Sequence, residues 1–134
     1  MDKIEFWQDR DNKKIDPTLF SVKAEDLAKE LAQDCEQSKK KLNKRTQVRK
    51  FYDEVVRLQM ETKNSGADWD SILPLINMIT AKAAYAKGRD LVSNNFLNFM
   101  RSSIEQIKEP EDLEVFANLF EAFYGFYRLH CPAN

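Results

Sequence analysis

The stretch PEDLEVFANLFEAFYGFYRL, residues 110–129, predicts the most apolar helix of the fold. Pro110 suits the first position of a helix, because the N–H that it lacks has no partner there within the helix. Acidic residues follow in the first turn, where they complement the helix dipole. Apolar side chains then cover more than half of the circumference, so this helix lies at the centre of a bundle or against a partner. The apolar positions are Val115, Phe116, Leu119, Phe120, Phe123, Tyr124, Phe126 and Tyr127.

Four further helices are predicted upstream, over residues 22–37, 47–63, 71–87 and 91–107. Ser21, Thr46 and Asp70 are the candidate N-terminal caps of the first three, because their side-chain oxygens can accept hydrogen bonds from backbone N–H groups. In the third helix, Pro74 is tolerated within the first turn. The apolar arc of that helix is predicted at Leu75, Met78, Ile79, Tyr85 and Ala86.

Length and composition favour one small all-α domain. The chain has 134 residues with only 3 Gly and 4 Pro, too few turn residues for a many-stranded sheet. We expect a compact bundle of about five helices over residues 17–134. Residues 1–16 are polar and lack helical periodicity, and they end at the turn-favouring pair Asp16-Pro17. This segment predicts a mobile N-terminal arm.

The sequence also predicts a cytoplasmic protein with no membrane partner. No apolar run approaches the roughly 20 residues needed to span a bilayer. The charged N-terminus is unlike a secretory signal. Cys35 and Cys131 lie far apart in sequence and fit no metal spacing, so in a reducing cytosol we expect thiols rather than a disulfide.

Catalytic residues are scarce, so no enzymatic activity, metal or cofactor is expected. His130 is the only histidine, and the three glycines stand singly, which excludes a glycine-rich phosphate loop. Glu111, Asp112 and Glu114 cluster at a helix N-terminus, where acids have a structural reason to lie. A small enzyme that uses these carboxylates remains an alternative hypothesis, weaker than the two binding functions considered below.

A net charge of −1 hides a basic middle of the chain. Residues 37–63 carry 9 basic and 3 acidic groups, whereas both ends are acidic. Residues 39–50 contain seven Lys or Arg and no acid. Clustered cations neutralise phosphates and release counterions, which favours RNA contact without sequence preference. A solvated linker, with Arg49 paired to Asp53 at i+4, is the alternative.

A second basic segment is KAAYAKGR, Lys82 to Arg89. Lys82 is predicted to project into the apolar arc of its helix, and burial of an unpaired ammonium costs several kcal/mol. It must therefore extend its tip to water, pair with a carboxylate or contact an external phosphate. The candidate RNA-binding residues are Lys41, Lys44, Arg45, Arg49, Lys50, Arg57, Lys82, Lys87 and Arg89.

Three segments in order resemble the small subunit of type III-A CRISPR interference complexes, the Csm small-subunit family. They are LNKRTQVRKFYDEVVRL at 42–58, ITAKAAYAKGR at 79–89 and FANLFEAFYGFY at 116–127. The family shows Thr/Ser-Gln-hydrophobic-Arg, then Lys-x-x-Tyr-Ala-x-Gly-Arg, then Phe-Glu-Ala. The resemblance covers about residues 42–130, and Lys44-Arg45 is more basic than the family pattern.

The resemblance implies a non-catalytic helical subunit, present in several copies beside the backbone and large subunits of the complex. Such subunits line the channel that holds guide RNA and target RNA, and they contact sugar-phosphate. The basic positions that match are Arg49, Lys50, Lys82, Lys87 and Arg89, and the resemblance makes Tyr85 mainly structural. The alternative is a protein-interaction adaptor with no nucleic-acid role, in which the last helix docks a partner.

Overall fold

The computed structural model describes residues 3–131, and this part of the chain folds into five α-helices and one short β-hairpin. Residues 1–2 of the predicted arm and 132–134 of the predicted bundle domain lie outside the described residues. The all-α prediction is confirmed. None of the helices within 3–131 is long and apolar enough to cross a lipid bilayer. The elements are β1 Trp7–Asp9, β2 Lys14–Ile15, a π-helical turn Leu19–Lys23, α1 Ala24–Gln37, α2 Arg45–Glu61, α3 Trp69–Gly88, α4 Asn94–Glu105 and α5 Pro110–His130.

Helix α5 forms the centre of the core, as its composition predicts. Phe116, Phe120, Phe123 and Tyr127 are all buried, and α5 packs against α1 and α2. Phe99 of α4 lies among these rings, with centroid distances of 5.7–5.9 Å to Phe116, Phe120 and Phe123. Tilted contacts at this range add to the hydrophobic gain from burial. This continuous aromatic cluster holds the bundle together.

The predicted apolar arc of α3 is wrong at three of its five positions and right at Ile79 and Ala86. The buried stripe is Ile72, Ile76, Ile79, Ala83 and Ala86, spaced alternately by four and three residues. Leu75, Met78 and Tyr85 are instead exposed by 47, 55 and 66%. Both sides of α3 carry apolar residues, and the side with the three isoleucines and two alanines faces the core. Lys82 consequently lies outside the buried stripe.

The predicted caps are displaced by two residues. The N-terminal caps of α1, α2 and α3 are Lys23, Lys44 and Asp68, rather than Ser21, Thr46 and Asp70. Asp68 has the extended backbone that a cap needs, and its carboxylate accepts a hydrogen bond from the Asp70 N–H. Because α3 starts earlier than predicted, Pro74 lies beyond its first turn.

Residues 3–16, predicted as part of a mobile arm, pack against the bundle in this structure. The hairpin β1–β2 places Phe6 in the core, fully buried and stacked 6.0 Å from Phe116. The Phe6 N–H donates to Gln106 Oε1 at 3.0 Å. Asp112 accepts from Trp7 Nε1 at 2.8 Å and from Arg10 at 3.2 Å. Sequence periodicity does not reveal a single anchoring aromatic residue in a polar segment.

The far end of α5 contacts α1 through two polar pairs. The Cys131 and Cys35 sulfurs are 3.7 Å apart, a thiol contact rather than a bond, and both side chains are buried. His130 Nε2 lies 2.7 Å from Glu25 Oε2. Burial raises the pKa of Tyr127, and its hydroxyl donates to the Asn43 carbonyl at 2.6 Å.

Candidate nucleic-acid interface

Lys50, at the end of the first basic segment, meets the second basic segment in one groove, which we call the α2/α3 groove. Each helix contributes side chains at positions i, i+3, i+4 and i+7, the spacing of a single helical face. The groove has a volume of about 370 Å³. Its lining residues are Gln47, Lys50, Phe51 and Glu54 of α2, Lys82, Tyr85 and Ala86 of α3, Arg89 at the C-terminal cap of α3, and Leu91.

The α2/α3 groove combines an apolar floor with a cationic rim. Phe51 and Ala86 are buried, and both belong to the hydrophobic core. Lys50, Lys82 and Arg89 are exposed and surround this floor. Such a surface suits a ligand that carries negative charge together with flat or apolar groups.

Glu54 is the one acid of the groove, and it is shared between two cations. Lys82 Nζ lies 3.5 Å from Glu54 Oε1, and Arg57 donates to the same oxygen at 2.7 Å. The Arg57 hydrogen bond holds the pKa of Glu54 below its ordinary value, although partial burial opposes this. With Glu54 ionised, the lining carries three positive charges and one negative charge, a net +2.

Lys82 thus pairs with a carboxylate while it remains accessible. Its side chain is 54% exposed, although the sequence pattern placed it within the apolar arc of its helix. Exposed ion pairs contribute about 0–1 kcal/mol, so the contact with Glu54 does not commit Lys82 to a structural role.

A second group of cations lies where the start of α2 meets the end of α5, and we call it the arginine cluster. Arg45, Arg49 and Arg128 line a depression of about 380 Å³ with Thr46 and Tyr124. Arg49 donates to Asp53 Oδ1 at 3.0 Å, so the i+4 pair considered from sequence is present.

The guanidinium of Arg49 also rests on aromatic rings. Its central carbon is 5.9 Å from the ring centres of Tyr52 and Tyr124, which stack on each other at 5.8 Å. The Asp53 hydrogen bond and the rings keep Arg49 at the edge of the arginine cluster, with about half of its side chain exposed.

The remaining candidate cations lie elsewhere. Lys41 and Lys44 are exposed in the connection between α1 and α2. Lys87 lines a third depression, beside Asp34 and Ser93. Arg57 is bound by Glu54 and Glu61 of its own helix. The basic run therefore does not form a single patch.

Backbone turns explain why the basic run is divided. Lys39, Lys40 and Asn43 adopt left-handed backbone conformations, with φ of 59°, 64° and 59°. These turns redirect the chain between α1 and α2, within the basic run. Asn adopts the left-handed conformation more readily than most residues do, so an Asn at position 43 is compatible with a turn there.

Asn43 also positions the groove, although no sequence motif marks it as a functional residue. It is fully buried and exchanges hydrogen bonds of 2.9 Å with the Ser93 hydroxyl and the Ser93 N–H. Its own N–H donates to the Leu91 carbonyl at 3.0 Å. Because Leu91 lines the groove, Asn43 sets the start of α2 relative to α3.

Gln47, Tyr85 and Arg128 are further site residues that the sequence-based candidates omit. The resemblance made Tyr85 mainly structural, but its ring is exposed in the groove. Arg128 is separated from Arg45 by most of the chain, so only the packing of α5 on α2 brings them together.

Two of the acids considered for catalysis, Glu111 and Asp112, have structural partners, and Glu111 pairs with Lys13 at 2.9 Å. Asp112 is buried and accepts from the backbone N–H groups of Lys108 and Glu109 at 2.9 and 3.0 Å, which completes a capping box. Burial alone raises its pKa, but these bonds and those from Trp7 and Arg10 leave the pKa below its ordinary value. Within residues 3–131, no three His, Cys, Asp or Glu side chains converge as metal ligands.

Comparison with known proteins connects this geometry to one family. The family described as Csm2 Type III-A matches residues 17–132 of the chain. The match starts before the three resembling segments and so includes α1. No curated protein and no solved structure matches the chain.

Proposed function

This chain belongs to the Csm2 family of type III-A CRISPR effector small subunits, and from that premise we propose that its α2/α3 groove holds RNA through sequence-independent phosphate contacts. The subunit lines the channel of guide RNA and target RNA in the cytoplasm and bridges the backbone and large subunits and further copies of itself. Small subunits of this family are structural, non-catalytic components.

One observation carries the proposal: Lys50, Lys82 and Arg89 come from two separate basic segments and surround a single groove. If the basic residues only solvated the surface, they would have no reason to converge across two helices. Cations grouped in this way bind phosphate by charge and counterion release, without reading bases.

The spacing of the cations suits a strand that follows α3. Lys82 and Arg89 are two helical turns apart on one face, about 10 Å along the axis. They therefore contact different phosphates of the same strand, while Lys50 acts from α2. The arginine cluster supplies a second set of cations on the other side of α2.

An isolated subunit with so few phosphate contacts binds RNA weakly. Three contacts to a single strand predict a slope of about −2 in log affinity against log salt. Affinity then falls about 15- to 20-fold between 50 and 200 mM salt. Several copies in one assembly multiply this weak affinity through avidity.

Fluorescence anisotropy with a labelled single-stranded RNA tests the proposal. The triple variant Lys50→Ala, Lys82→Ala and Arg89→Ala is expected to lose most of both the affinity and the salt dependence. The matched control replaces three exposed cations outside the groove, Lys29, Arg101 and Lys108, by alanine. Equal binding by both variants, or binding that is insensitive to salt, contradicts the proposal.

A protein-interaction adaptor is the second candidate, and one observation favours it. Leu75 and Met78 are exposed on α3, on the side of the helix that also carries Tyr85. Adjacent exposed apolar side chains mark contact surfaces more often than isolated ones do. The sequence alone suggested that α5 docks the partner, but the aromatic rings of α5 fill the core.

A further inference from the structure

Tyr85 occupies the middle of the α2/α3 groove wall. Its side chain is 66% exposed, whereas the aromatic rings of α5 that face the core are buried. Lys82 and Arg89 lie three residues before it and four residues after it, on the same helical face. An aromatic ring left in water between two cations contributes little to folding, so the ring is available to a ligand in the groove.

Arg89 holds the Tyr85 ring in place. The guanidinium carbon lies 5.7 Å from the ring centre, and Arg89 NH1 is 3.5 Å from the Tyr85 hydroxyl. A cation over an aromatic face attracts it, and Arg planes also stack on bases. Tyr85 and Arg89 together therefore present a flat, electron-rich and partly ordered surface to the groove.

The groove also has the volume and polarity for a nucleotide. At about 370 Å³ it lies at the lower end of the range of small-ligand pockets, roughly 300–1,000 Å³. Phe51 and Ala86 supply an apolar floor, and Gln47 supplies an amide from the opposite helix. Lys50 and Lys82 lie beside this space, where the phosphates flanking a bound base would run.

We infer that Tyr85 is a stacking platform for an unpaired nucleobase, so that the groove takes a single-stranded or flipped-out nucleotide of the RNA rather than duplex phosphate alone. This inference rests on the proposed function, because the flanking cations must first hold the strand. Stacking on an aromatic ring tolerates every base, since every base has a π face, and so it agrees with binding that has no sequence preference.

A short single-stranded RNA carrying 2-aminopurine at its centre, and a strand of the same length made entirely of abasic nucleotides, test the inference on the full chain. Wild-type protein is expected to quench the fluorescence and to prefer the base-containing strand by about fivefold or more. Tyr85→Leu should abolish both effects, and Tyr85→Phe should keep both. Leu129→Ala, which removes an exposed apolar side chain outside the groove, is the matched control. Circular dichroism confirms folding of each variant.

The salt dependence separates this inference from the proposed function. Tyr85→Leu leaves the phosphate contacts intact, so the slope of affinity against salt should match that of wild type. A salt-dependent wild type that does not distinguish the base-containing strand from the abasic strand overturns the platform and leaves the phosphate contacts standing. Equal binding of duplex and single-stranded RNA, unaffected by Tyr85→Leu, also overturns it. Loss of a protein partner with RNA binding unchanged assigns Tyr85 to protein docking instead.

Discussion

Replacement of Lys82 by alanine separates a structural brace from an RNA contact. The Lys82 side chain is 54% exposed, and its Nζ lies 3.5 Å from Glu54 Oε1. Glu54 keeps its shorter bond of 2.7 Å from Arg57 when Lys82 is removed. An exposed pair of this kind contributes about 0–1 kcal/mol, and alanine recovers a few tenths through its helix propensity. The free energy of unfolding should therefore change by less than about 0.5 kcal/mol, or about 2 °C in melting temperature.

RNA binding should change more clearly. Loss of one phosphate contact lowers the salt slope for single-stranded RNA by about 0.7. When the salt concentration rises from 50 to 200 mM, both proteins lose RNA affinity. The fold loss should be about 2.5 times smaller for the variant than for wild type. Thermal unfolding followed by circular dichroism, together with anisotropy at four or more salt concentrations, measures both quantities on the same preparation.

Lys29→Ala is the control for Lys82→Ala, since Lys29 is an exposed lysine within α1 and lies outside the groove. It should alter neither the stability nor the salt slope by more than the error. A contrary result is a melting temperature lowered by 5 °C or more, about 1–2 kcal/mol, with the salt slope unchanged. Lys82 would then be a structural brace, and its proposed contact with RNA would be refuted.

Three further predictions concern the framework that positions the site. Phe120→Ala should cost about 3–5 kcal/mol in denaturant unfolding, because the ring is fully buried; a neutral effect would place this stripe outside the core. Asn43→Ala should cost about 2–4 kcal/mol, because the buried Ser93 N–H loses its partner and the Ser93 hydroxyl keeps only the Phe96 N–H; unchanged stability would contradict the anchor. Asp112→Asn should cost about 2–4 kcal/mol at neutral pH. Because the pKa of Asp112 is below its ordinary 3.8, the difference in unfolding free energy between wild type and variant should persist down to about pH 3.8 and shrink at lower pH. A difference that does not change with pH would exclude the carboxylate charge as the cause.

The burial of helix α5 could be predicted from the sequence, because its composition is incompatible with an exposed helix. Apolar residues on more than half of the circumference of α5 must be buried, whatever packs against them. In α3 the apolar residues lie on two sides, and the sequence alone does not say which side meets the core. Ala83 and Ala86 face the core with the three isoleucines, whereas Leu75 and Met78 remain exposed. Tertiary packing, rather than the local sequence pattern, determines which side of α3 is buried.

The candidate site was predictable as a list of cations and not as a geometry. Lys50, Lys82 and Arg89 were all named from their basic segments, but their convergence depends on how α2 packs against α3. Arg128 has no local sequence signal, because a cation at the end of a helix already suits the dipole. The family match from residue 17 likewise exceeds the resemblance, which started at residue 42, because α1 has no distinctive motif.

Cross-linking in the assembled effector complex tests the central claim most directly. A target RNA with 4-thiouridine at successive positions is bound to the complex and irradiated, and the cross-linked peptides of this subunit are identified by mass spectrometry. The proposed function predicts adducts on the segments that line the α2/α3 groove, around residues 47–54 and 82–91, and their loss in the triple variant Lys50→Ala, Lys82→Ala and Arg89→Ala. Adducts confined to other surfaces, or none on this subunit while the RNA is fully bound, would contradict it.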